Sequence, residues 1–134
     1  MNDANVKAQI LTEPKDIAIE AVKALYLKQA SDIELYYVAD NTIIADYYVI
    51  CSARSTTHIK ALADELCYKL ELQGVKELRV EGKDGGTWVL VDFGCVIAHV
   101  FAKDAREFYK LERLLSEDGK VDLTEIINEL IENN

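Results

Sequence analysis

Few side chains in this sequence have the type and spacing that chemistry demands. Ser52, Ser55, His58 and Asp46 are the residue kinds of a hydrolytic triad, which needs a base within hydrogen-bond reach of a nucleophile and an acid behind the base. Capping and turn duties account for the serines, and a place on a helix surface accounts for His58, so no triad is expected. Asp32-x-Glu34 pairs two carboxylates on a predicted strand, where i, i+2 spacing puts both on one face and in range of one divalent cation. No third carboxylate is placed to join them, and a solvated strand face is the simpler account. The turn EGKDGG at 81–86 could cradle a phosphate with backbone N–H groups, yet it carries two acids and leads into a strand rather than a helix, so it reads as a hairpin turn. No Walker loop, GxGxxG, HExxH or GxSxG occurs. No catalytic residue, metal or cofactor is expected.

Two further residues stand out. The sole tryptophan, Trp88, follows the glycine turn directly and reads equally as core or as an aromatic anchor of the kind enriched at interface hot spots. His99 lies inside an apolar strand, where a semi-buried, hydrogen-bonded imidazole is the plainest reading. Cys51, Cys67 and Cys95 are odd in number, widely spaced and set in apolar segments, as buried free thiols are, and with two histidines in the chain they make no zinc site.

The elements that must position these residues follow from periodicity. Pro14, with Thr12 as a cap, starts a helix ending near Ala30, and Ile17, Ala18, Ala21, Val22 and Leu25 recur at helical spacing. Alternation from Asp32 to Tyr37 predicts a strand, and YYVIC at 47–51 a second, more central one. Ser55 caps a helix whose stripe is Ile59, Leu62, Ala63, Leu66 and Leu70, ended by Gly74. A third strand covers 75–80, and strand–helix–strand order makes the second and third strands parallel. Residues 88–91 and 95–101 continue as an antiparallel meander around Asp92-Phe93-Gly94, with Asp92 at an exposed hairpin end. Asp104 with Glu107 resembles a capping box for a helix that buries Phe108, Leu111 and Leu115. Asp122 with Glu125 starts a last amphipathic helix. The fold class is α/β (α+β), with a five-stranded mixed sheet and helices packed on it.

Composition sets outer bounds. The 134 residues fill one domain, with 1–115 as its body and 116–134 an appended acidic helix. A hydrophobic fraction of 50%, one Pro and six Gly are ordinary for a globular chain and argue against disorder. The net charge is −9, with residues 31–53 carrying four acids and no base, 116–134 six acids and one Lys, and 54–115 ten of each. Such a surface repels nucleic acid and favours a basic protein partner. Apolar runs are too short for a membrane helix, and the first ten residues lack the order of a signal peptide, so a cytoplasmic location and no membrane partner are expected.

Six strings carry a resemblance: ADYYVI at 45–50, IKALADE at 59–65, RVEG at 79–82, WVLVDFG at 88–94, HVF at 99–101 and REFYKLER at 106–113. Their order and spacing resemble the ribosomal silencing factor family, also called Iojap-like proteins, over about residues 16–115. That resemblance implies a nucleotidyltransferase-like sheet used for binding. It further implies attachment to the large ribosomal subunit through its protein fourteen, on the surface that meets the small subunit. Occupying that surface blocks subunit joining and represses translation when nutrients are scarce, while organellar relatives assist ribosome assembly. On the matched strings, the implied partner-binding residues are Glu81, Trp88, Asp92, Phe93, His99, Arg106, Tyr109, Glu112 and Arg113. A local reading of the same residues makes Phe93 and Tyr109 partly core and the charged ones local ion pairs. The chain departs from the family's usual residues at Cys95, Ala53 and Leu115.

Two alternatives of other classes stand beside this one. An active nucleotidyltransferase needs carboxylates for two magnesium ions beside a Gly-Ser turn, and Ser52-Ala53-Arg54-Ser55 lacks the glycine. A homodimeric scaffold is favoured if apolar residues of the last strands form an exposed patch.

Overall fold

The computed structural model describes residues 10–133. Helix α1 (Pro14–Leu27) starts with Pro14 in the first turn, where its missing N–H costs nothing, and buries Ile17, Ala18, Ala21, Val22, Ala24 and Leu25. Glu13 rather than Thr12 is the N-cap, and no side chain caps this end. Strands β1 (Ser31–Tyr37) and β2 (Tyr47–Ala53) follow. Helix α2 (Thr56–Glu71) is capped as its sequence predicts, Ser55 accepting from the backbone N–H of His58, a bond that contributes about 1 kcal/mol. Gly74 then takes the left-handed conformation with φ +83°.

Strands β3 (Arg79–Glu81), β4 (Trp88–Asp92) and β5 (Val96–Ala102) lead to helix α3 (Lys103–Tyr109), two 3-10 helices (Leu111–Leu114 and Glu117–Gly119), strand β6 (Lys120–Val121) and helix α4 (Thr124–Glu132). The sheet has six strands, not five, in the order β3-β4-β5-β2-β1-β6. The additional strand pairs Val121 with Leu35 and Lys120 with Tyr36. Two residues are too few to show alternation, so only the tertiary pairing reveals it. The expected third strand keeps residues 79–81 alone; Val75 is buried beyond the strand and Leu78 is exposed. Strands β2 and β3 do run in the same direction, but β4 and β5 lie between them, and the parallel neighbour of β2 is β5.

Alternation divides the sheet into two faces. On one, Val49, Cys51, Val89, Val91, Val96, Ala98 and Val100 meet the buried stripes of α1 and α2. On the other, Tyr36, Ile50, Ile97 and Phe101 form a smaller cluster with Ala105 of α3, while Tyr48, Trp88 and Leu90 pack against it only partly buried. The first face therefore holds the main core. The second is covered by the seven-residue α3, which buries a single side chain, Ala105, and by Leu111 and Leu115 just beyond it, both only partly buried.

Three local expectations fail for physical reasons. The Asp104 capping box does not form: α3 begins after Ala102 without a side-chain cap and ends at a left-handed Lys110, which leaves Phe108 79% exposed. His58 is buried rather than on a helix surface: its Nδ1 accepts from the Arg54 amide at 3.1 Å, and its Nε2 lies 2.9 Å from the Lys28 carbonyl oxygen, so the ring clamps the end of α1 to the β2–α2 corner. Asp32 has φ +50° at a bulge in β1, which breaks the alternation that would align its carboxylate with Glu34.

Gly82, at φ +87°, ends β3 so close to β4 that a Cβ would overlap the backbone carbonyl oxygen of Trp88. Gly82→Ala therefore combines left-handed strain with a backbone clash. We expect it to lower stability by about 2 kcal/mol or more, read as a lower urea midpoint with an unchanged slope.

Candidate partner-binding face

Register decides which side chains share the half-covered face. Trp88 lies opposite Phe101, Leu90 opposite His99 and Asp92 opposite Ile97, while Ile50 lies opposite His99 on the other side of β5 and Tyr48 opposite Ile97. Glu81 pairs with Leu90 at the outer edge. The face is aromatic at its centre. Trp88 sits 4.7 Å from Phe101, 5.9 Å from His99 and 4.9 Å from Tyr109, and Tyr48 stands edge-on to His99 at 4.8 Å, all between ring centroids.

Trp88 is neither fully core nor fully exposed. Its indole N–H donates to His99 Nδ1 at 3.2 Å, while the ring remains half-buried at the surface. Because Nδ1 accepts, the imidazole must be neutral with its hydrogen on Nε2. Burial holds the His99 pKa down to about 4 against an ordinary 6.5. Burial likewise raises the phenol pKa of Tyr48, so these two rings are uncharged near neutrality.

The charged rim is internally paired. Arg79 contacts Asp92 at 3.2 Å and Glu81 at 3.1 Å. The Asp92 carboxylate also accepts the Gly94 amide at 2.8 Å, so it is committed to the turn and is not a free charge at an exposed hairpin end. Arg106, on α3, donates to Glu112 at 2.7 Å, to Ser52 Oγ at 2.9 Å and to the Asp32 carbonyl oxygen at 2.6 Å, and lies 3.5 Å from Glu34. Burial alone would raise the Glu112 pKa; its own backbone N–H and Arg106 more than offset this and hold it low. Beside Arg106 a groove of about 750 Å³ opens between α3, β1 and β6, with Lys103, Lys110, Arg113 and Lys120 among its bases and Asp32, Glu34, Glu107 and Asp122 among its acids. Among the described residues no three His, Cys, Asp or Glu side chains converge as a metal cage.

The structure thus brings Glu81, Trp88, Asp92, His99, Arg106 and Tyr109 to one face and ties Glu112 to it through Arg106. Phe93 does not belong there: it is buried in the core on the helix-covered side. Arg113 is exposed in the groove. Tyr48, Leu90 and the exposed Phe108 complete the face, although sequence reasoning did not select them. The signal available for Tyr48 and Leu90 was strand alternation, which becomes informative once register fixes which side is covered.

The family profile described as "Ribosomal silencing factor during starvation" matches residues 11–134. The chain belongs to the ribosomal silencing factor family. The match takes in β6 and α4, beyond the last of the resembling strings. Ribosomal silencing factor RsfS of Bacillus subtilis is 37% identical over 109 residues, covering 81% of this chain and 92% of its own. A mouse protein named mitochondrial assembly of ribosomal large subunit protein 1 is 36% identical over 96 residues, covering 69% of this chain and 42% of that longer one. A crystal structure of a Chromobacterium violaceum protein superposes with a TM-score of 0.76 at 32% identity, over 78% of this chain and 87% of that one. The names of these two relatives, one a silencing factor and one a large-subunit assembly protein, both refer to the ribosome.

The neutral His99 yields a pH prediction. Above pH 6.5 both folded and unfolded imidazoles are neutral; below it the unfolded chain takes up a proton that the fold refuses until about pH 4, so stability falls with falling pH. The loss should be about 2 kcal/mol between pH 6.5 and about pH 5. Urea titrations of the parent chain and of His99→Asn, which keeps an acceptor for Trp88, should diverge by that amount; parallel curves would show that His99 is not held neutral.

Proposed function

We propose that this chain represses translation by docking the Trp88–Leu90–Tyr109 face on protein fourteen of the large ribosomal subunit and so blocking entry of the small subunit. The observation that carries the reading is the half-covered second face: a sheet whose central strands are buried on both sides presents Tyr48, Trp88 and Leu90 only partly covered, with Tyr109 51% and Phe108 79% exposed beside them. A contiguous aromatic and aliphatic surface with a charged rim is the composition of a protein-binding patch. Family membership and the names of the relatives supply the ribosome; the protein-fourteen contact follows from the family resemblance in the strings that build this face. On this reading the chain acts by occupancy and not by catalysis, and it works in the cytoplasm where subunits join.

Closing the same face on a second copy is the competing use. The charge of −9 opposes it, because like charges approach one another in a dimer, whereas a basic ribosomal protein is attracted.

Co-sedimentation with separated subunits tests the proposal. The parent chain should travel with large subunits and not with small ones. Leu90→Lys places a cation at a half-buried position of the face and should weaken that binding at least ten-fold while preserving the fold. Trp88→Ala should weaken it too and lower the melting temperature, since Trp88 both packs and faces out. Equal binding to both subunits, unchanged binding by Leu90→Lys, or self-association without subunit binding would overturn the proposal.

A further inference from the structure

Helix α3 is too short and too little buried to hold itself in place. It has seven residues, no side-chain cap and one buried side chain. Yet it carries Phe108 and Tyr109, and Tyr109 reaches Trp88 at 4.9 Å. What fixes the helix is Arg106, whose side chain is 11% exposed. Its guanidinium reaches four residues in three neighbouring elements: Asp32 and Glu34 of β1, Ser52 of β2 and Glu112 of the following 3-10 helix. No ammonium group can do this, since the contacts use Nε and both Nη groups of a rigid planar fork.

Two irregularities elsewhere fit the same role. Asp32 is in a left-handed conformation at a bulge, a strained state for a residue other than glycine, and its carbonyl oxygen accepts from Arg106 at 2.6 Å. Lys110 is left-handed immediately after α3, turning the chain so that Glu112 returns to Arg106 Nε. Both departures serve to close contacts on one side chain.

We infer that Arg106 is a positioning residue of the docking face: largely covered between α3 and the sheet, it sets the pose of Tyr109 over Trp88 and contributes to partner binding through Tyr109 rather than by touching the partner. The inference rests on the docking face proposed above. Tyr109 lies one helical turn beyond Arg106, so a shift of the arginine carries directly to the tyrosine ring.

Trp88 is the only tryptophan in the chain, so its emission reports the Tyr109 contact with no partner present. Arg106→Lys, which keeps the charge and loses the fork, should shift that emission as Tyr109→Ala does, and the double variant should shift it no further. In subunit binding, Arg106→Lys should cost at least ten-fold, and on the Tyr109→Ala background it should cost less than two-fold. Unchanged Trp88 emission in Arg106→Lys, or binding losses that add in the double variant, would overturn the inference. If Arg106→Lys fails to fold, Glu112→Gln removes the charge of one partner, and the same comparison applies with smaller shifts that again vanish on the Tyr109→Ala background. Loss of the docking reading itself has a different signature: Leu90→Lys then binds like the parent, while the emission results still decide whether Arg106 positions Tyr109.

Discussion

The arrangement of this molecule depends on the parallel pairing of β2 with β5, in unbroken register from Tyr47 opposite Val96 to Ala53 opposite Ala102. Both strands are buried almost throughout, so their alternate side chains have to satisfy two different environments. One set, aliphatic or small apart from Tyr47, fills the space beneath α1 and α2. The other set includes Tyr48, His99 and Phe101. A slip of one residue would exchange the sets, placing His99 in the aliphatic core and valines in the aromatic face. The burial of roughly 1.5–3 kcal/mol per large apolar side chain on the helix side resists that slip.

The second face is then built around aromatics linked by one hydrogen bond, from Trp88 Nε1 to His99 Nδ1, while the buried His99 Nε2 has no hydrogen-bond partner among the described residues. His99 can be buried because it is neutral and accepts from Trp88; Trp88 can remain at the surface because its N–H has that internal partner. The result is a patch with rigid rings and little net charge, set in an acidic protein. Rigid rings lose little entropy on binding, which favours a docking surface. Around it, Asp92 with Arg79 and Glu112 with Arg106 keep carboxylates from repelling one another across the strands. These pairs are structural first. Their contribution to a partner is to keep the rim in place.

Much of this was legible in the sequence, and the exceptions are instructive. Helical spacing gives α1 and α2 with their buried stripes, Ser55 gives a cap, Gly74 a stop, alternation gives β1, a continuous apolar run gives β2, and apolar segments flanking turn signals give β4 and β5. The candidate residues Trp88, His99, Arg106 and Tyr109 lie in strings whose order marks the family. These features are local or nearly so: a cap, a turn or a stripe depends on neighbours within a few residues, and the sequence by itself determined them.

Tertiary structure alone decided the remainder. Strand β6 exists because Gly119, lacking a Cβ that would meet the Tyr37 carbonyl oxygen, lets the chain pass close enough to pair with β1. His58 becomes a buried clamp because α1 ends where Lys28 can offer its carbonyl oxygen, thirty residues away in the chain. Phe93 turns into the core and Phe108 out of it because the Asp92–Gly94 turn and the left-handed Lys110 set the chain direction after each strand or helix. Arg106 reads as a surface charge on a helix until β1, β2 and the 3-10 helix converge on it. In each case the deciding contact joins segments distant in sequence, so its energy is absent from any local pattern and present only once the sheet has formed.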